Sequence, residues 1–200
     1  MQKRWLSATA ILTAIALVGS ACAGFGGGDA PAGTKVKIVS SLPMTGPSLT
    51  QTQTIINGIK MALEDVNSKI GNVTIEYEAL DDATPAKQSW DAAKEAENAR
   101  TAVNDKSVVA YIGTFNSGAA QVSIPILCGA GLGMISPANT YPGLTKAGKG
   151  TADEPGKFYP GGCKRNYSRV VPADDLQGAV GASWMKELGA KKVYIAHDNE

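Results

Sequence analysis

Histidine and cysteine are scarce in this chain: one of the 200 residues is histidine and three are cysteine. A lone His197 gives no pair for a zinc site and no obvious base for a nucleophile, and no zinc-ligand spacing occurs. The G-x-S-x-G elbow of serine hydrolases is missing. GLTKAGKG at 143–150 imitates a phosphate loop but ends in Gly150, where Ser or Thr should hold magnesium, and follows Pro142 instead of a strand. GAGLG at 129–133 precedes an apolar run where a dinucleotide fingerprint would follow one. Asp81 and Asp82 lack a matching His or Glu ligand and read as a solvated strand end in preference to a metal pair. No metal and no cofactor are therefore implied. Nor is there an excess of one charge: Lys and Arg total 19, Asp and Glu 18. Nothing electrostatic points to nucleic acid.

What is present begins with an export signal. Lys3 and Arg4 precede the apolar run Leu6–Val18, which ends in small residues. Residues 1–21 read as a cleaved leader, whose loss takes the formal charge from +1 to −1. The run lacks a basic stop-transfer flank, which argues against a membrane span. Cys22 follows Gly19-Ser20-Ala21, an arrangement similar to a bacterial lipobox, although Gly19 stands where leucine is usual. That resemblance implies lipidation of Cys22. Residues 22–34, rich in Gly and Ala, read as a flexible tether holding a folded domain at a membrane surface. Outside the cytosol Cys128 and Cys163 could pair or remain two free thiols.

From Lys35 the chain alternates short β-rich runs with helix-period segments. KVKIVS, VTIEYEAL, SVVAYIG, LGMIS, NYSRVV and KKVYIAH read as strands. Ile55, Ile56, Ile59, Leu63, Val66 and Ile70 mark one amphipathic helix. Further helices are expected from about Pro85 to Val103, Ser117 to Leu127 and Asp174 to Leu188. The alternation predicts an α/β fold with a doubly wound parallel sheet. The segment from Pro137 to Lys164 is too long for a plain connector, which suggests function or an excursion between lobes.

In such sheets ligands sit beyond the carboxyl ends of the strands. Three of those ends carry hydroxyls: SLPMTGPSLTQTQ, TFNSG and PANTYPG. The first two lead into helix N-termini, where free N–H groups and the dipole favour an anion. Any one Ser or Thr could be an ordinary cap. Three rims together predict a carboxylate site.

The motifs MTGP, NGIKMALEDVN, DDATPAKQ, YIGTFNSGAA, MISPANTYPGLT and RNYSRVVPADDLQGA, in this order over nearly all of 35–200, resemble the substrate-binding proteins of branched-chain amino-acid ABC transporters, of the type I periplasmic-binding-protein fold. The resemblance implies two α/β lobes closing on an amino acid, with the first lobe holding its carboxylate. It implies binding roles for Ser117 and Thr140, with Phe115 and Asn116 before that serine and Asn139 beside that threonine. Gln51 stands where the Leu/Ile/Val-binding proteins have a pocket-lining tryptophan. The implied organisation is a first lobe over 35–165, then a crossover and the start of a second lobe over 166–200, with the rest beyond Glu200. The expected function is an extracytoplasmic, lipid-anchored solute-binding protein, not an enzyme, that delivers an amino acid or similar small carboxylate to an ABC permease. The rival readings are an amide- or urea-binding protein or ligand sensor of the same fold, and an extracytoplasmic hydrolase.

Overall fold

The computed structural model describes residues 30, 31 and 33–196. The expected leader, Cys22, most of the tether and His197 lie outside them. Six strands form one sheet: β1 Thr34–Leu42, β2 Lys69–Ile70, β3 Val73–Asp81, β4 Val108–Gly113, β5 Gly133–Ser136 and β6 Tyr167–Arg169. Their order is β2-β3-β1-β4-β5-β6, and every pairing is parallel except β2 with β3. The helices are α1 Leu49–Asp65, α2 Ala92–Asn104, α3 Ser117–Gly129 and α4 Asp174–Glu187.

The chief core lies where α2 and α3 cover the sheet. Val39 of β1, Tyr111 of β4 and Met134 of β5 meet Ala99, Ala102, Ile124 and Leu127 there. β1, hydrogen-bonded on both sides, is the middle of this arrangement, and its last four residues are buried. Small residues on α2 and α3 allow close approach to the strands and to each other. The segment 137–164 is no excursion away from the body. Leu144 and Phe158 from it enter the same core, and single 3-10 turns at Pro142–Leu144, Gly156–Phe158 and Pro160–Gly162 shape it. Cys163 near its end is disulfide-bonded to Cys128 in the last turn of α3, with Cα atoms 5.9 Å apart.

Several elements depart from the sequence expectation for identifiable reasons. The α1 pattern does not carry through Ile70, because Asn67 and Ser68 take positive φ and turn the chain back. Ile70 instead pairs with Val73 in a short antiparallel hairpin. Helix α2 starts at Ala92, not near Pro85, because the Asp91 side chain caps it by accepting from the N–H groups of Ala93 and Lys94. Residues 84–89 before it form a tight turn closed by a bridge between Ala83 and Trp90. β6 pairs with β5, so the sheet runs on through Arg169. Among the described residues no strand forms over 191–196, and Val193, Tyr194 and Ile195 are exposed.

Asp81 and Asp82 are not a solvated strand end. Asp81 accepts from the N–H groups of Met44 and Ala83 and from the Thr45 hydroxyl, which fastens the β1–α1 loop. Asp82 is fully buried, and neither carboxyl oxygen has a hydrogen-bond partner. Nearby Glu95 is equally buried and accepts from Ser41 at 2.5 Å and Tyr111 at 2.9 Å. Burial, then the charges of Glu95 and Asp81, push Asp82 up to about 8. Burial pushes Glu95 up to about 7 against the pull of its hydroxyl donors. Among the described residues no group of three acidic, His or Cys side chains could hold a metal ion.

Candidate ligand site

The carboxyl ends of β4 and β5 open onto a cavity of about 430 Å³. Trp90, Asn116, Ser117, Gly118, Gln121, Thr140, Tyr141 and Asp174 line it. Two of the three hydroxyl-bearing rims therefore converge. The first does not: its Thr45 is committed to Asp81, and Gln51 is exposed on the first turn of α1, outside the cavity lining.

Ser117 is the first residue of α3, with Asn116 as N-cap residue. The opening N–H groups of a helix have no acceptor within it and point towards any anion placed there. The Ser117 hydroxyl oxygen accepts the Tyr141 N–H at 3.3 Å. Its own proton can then be donated to a ligand. This single bond also joins the two rims.

Asn139 has a different position from its neighbour. It is fully buried, and its amide is engaged inside the protein. Its Nδ2 donates to the carbonyls of Thr114 at 3.0 Å and Phe115 at 2.9 Å, and its Oδ1 accepts from the Tyr167 hydroxyl at 3.0 Å. Phe115, half-buried, contributes that carbonyl and is not part of the cavity wall. Ser136 completes the clasp by donating to the Thr114 carbonyl at 2.9 Å and accepting from the Asn139 N–H at 2.8 Å. These bonds fix the two loops against each other and hold Thr140 where it lines the cavity.

Arg169 of β6 and Glu154 of the long segment brace the rim from outside. Arg169 Nη1 donates to the carbonyls of Asn139 at 3.0 Å and Tyr141 at 2.9 Å, and Nη2 donates to the Thr145 hydroxyl. The Tyr141 hydroxyl donates to Glu154, which also accepts from the Thr151 N–H and pairs with Lys157 at 2.8 Å. Burial alone would raise Glu154, but Lys157, Tyr141 and the Thr151 N–H outweigh it and hold it at about 2. The Thr140 carbonyl accepts the Asp174 N–H at 2.9 Å, docking the start of α4 on the rim.

Sequence reasoning placed Ser117, Asn116 and Thr140 at this cavity and missed Trp90, Tyr141, Asp174 and the bracing Arg169. Tyr141 lies inside the hydroxyl-rich stretch PANTYPG, and Asp174 inside the motif RNYSRVVPADDLQGA. Trp90 has no such signal, since it arrives through the Ala83–Trp90 bridge.

The family profile described as periplasmic binding protein matches residues 35–200. The chain belongs to that family. It is 29% identical over 159 residues to a Leu/Ile/Val-binding protein of Rhizobium johnstonii, covering 78% of this chain and 37% of the relative. Among solved structures it resembles a leucine-binding protein of Thermotoga maritima, with a TM-score of 0.61, 28% identity, and coverage of 78% of this chain and 38% of that one. A solute-binding protein of an R. palustris ABC transporter in complex with 4-hydroxybenzoate shares the fold at a TM-score of 0.67 and 20% identity, covering 83% and 39%. The chain thus spans well under half the length of these relatives.

Proposed function

We propose that this family member is an extracytoplasmic solute-binding protein that captures an amino acid of the branched-chain type, or a similar small carboxylate, for an ABC importer. The chain supplies one wall of the binding site, and lipidation at Cys22 would hold it at the membrane. The observation that carries the reading is the meeting of Ser117 and Thr140 in one cavity at the N-terminus of α3. In that arrangement the Ser117 hydroxyl, the Thr140 hydroxyl and the first N–H groups of α3 bind the carboxylate. Asn139 and Phe115 act at a distance, by fixing the loops on which those donors sit. The likeness to a Leu/Ile/Val-binding protein supports the ligand class. The Ser117 oxygen is held by a backbone N–H donor, an environment that lowers its nucleophilicity and suits binding instead of acyl transfer.

Calorimetric titration of the full-length protein tests this. A hydrogen bond to a charged group is worth about 1.5–3 kcal/mol, so Ser117→Ala and Thr140→Ala should each weaken binding by roughly tenfold or more. Unchanged affinity in both variants would place the site elsewhere.

A further inference from the structure

We infer that Trp90 is a specificity-determining wall of this cavity, favouring carboxylates that carry an aromatic ring over branched aliphatic ones. The inference rests on the binding reading above and goes further by naming the ligand body. Trp90 lines the same cavity as Ser117 and Thr140. Its place is fixed by the backbone: Ala83 and Trp90 form a bridge, and the next N–H, of Asp91, donates to the Asp82 carbonyl at 2.7 Å.

The indole lies directly on the first turn of α3. A Cβ built on Gly118 would stand 2.6 Å from Trp90 Cζ2 and 3.0 Å from Cη2. Only glycine at 118 permits that approach, and it brings the six-membered ring of Trp90 to the residue next to Ser117. A carboxylate held at Ser117 therefore has its body beside an indole. Tyr141, joined to Ser117 through its N–H, also lines the cavity. Its ring is held as well, because its hydroxyl is tied to Glu154 and a Cβ built on Gly143 would stand 2.5 Å from its Cε1. Rings already fixed before binding gain stacking contact without an ordering cost. The chemistry shared by phenylalanine and benzoate fits such walls, and the two differ in whether an amine is present.

Calorimetric titration of the full-length protein with leucine, phenylalanine and benzoate tests the inference. The unsubstituted protein should bind phenylalanine or benzoate about tenfold more tightly than leucine. Whichever of the two binds more tightly shows whether the amine is used. Trp90→Leu fills the space over Gly118 without a ring; it should lose about tenfold for the aromatic ligand and little for leucine. Trp90→Phe should keep the preference. Melting temperatures close to that of the unsubstituted protein check that both variants fold. Tightest binding of leucine, equal weakening of all three ligands in Trp90→Leu, or binding of none of them would overturn the role of Trp90. Loss of selectivity with Ser117→Ala left unchanged would instead unseat the carboxylate assignment and leave Trp90 standing.

Discussion

The segment 137–164 and the helix α4 invert the usual expectation about order. The first is almost devoid of regular structure yet firmly fastened. A disulfide and the core residues Leu144 and Phe158 hold it to α3, and the buried Glu154 carboxylate ties it together internally through Tyr141, Thr151 and Lys157. The second is a regular helix of 14 residues, none of them buried. Leu176, Val180, Trp184 and Leu188 are all more than half exposed. Hydrogen bonding along a helix is local and says little about anchorage, whereas burial and cross-links are what resist opening. Anchorage here belongs to the irregular segment.

The disulfide should give the largest effect on that contrast. Replacing Cys128 and Cys163 by Ser should destabilise the chain by about 4 kcal/mol in the chain-entropy picture for a loop of this size. Urea denaturation reads the loss, and hydrogen exchange should show it spreading through 137–164. A shift below about 1 kcal/mol would mean that packing alone fastens the segment.

The next prediction concerns pH, and it sets Asp82 and Glu95 against Glu154. Their folded values of about 8 and about 7 lie above the ordinary carboxyl range, so between pH 5 and 7 the folded chain holds more protons than the unfolded one. Stability should therefore fall as pH rises through that window, by up to ~1.4 kcal/mol per unit for each group. Glu154, held at about 2, acts oppositely, and its contribution is lost only in acid below about pH 4. Thermal melts at pH 5, 6 and 7 should show a declining midpoint. Asp82→Asn should flatten the decline. A midpoint that rises over this range would contradict the burial of both acids.

Glu154→Gln should cost about 2 kcal/mol, since it leaves Lys157 and the Tyr141 hydroxyl with a weaker, uncharged acceptor. Denaturant titration checks it, and the loss should localise to the long segment. The smallest effect belongs to α4. Trp184→Ala in this chain should change stability by no more than ~0.5 kcal/mol, because the side chain is 60% exposed. A loss above 1.5 kcal/mol would show that α4 packs on something.

The alternation of strands and helices was legible because apolar periodicity reports burial directly. The convergence of Ser117 and Thr140 was legible for a similar reason: carboxyl ends of adjacent parallel strands must share a rim. What sequence could not convey was the direction of individual polar groups. Asn139 and Thr140 are adjacent and chemically alike, yet one is spent in the interior and the other faces the cavity. That choice depends on Thr114, Phe115 and Tyr167, which are distant in sequence. The burial of Asp82 was hidden likewise, since a charged residue at a strand end ordinarily meets water. Trp90 reached the cavity through the turn after β3, where neither periodicity nor a motif gives warning.

Arg169 acts on the rim by polarising it. Its guanidinium takes the carbonyl of Asn139, one end of the peptide unit that continues into Thr140. A trans peptide is planar, with its C=O and N–H on opposite sides, so the Thr140 N–H points away from the cation. Drawing electron density towards the carbonyl end makes the hydrogen at the other end a stronger donor. A permanent charge on β6 thus polarises the peptide unit that ends in the Thr140 N–H, on the rim of the cavity that Ser117 also lines.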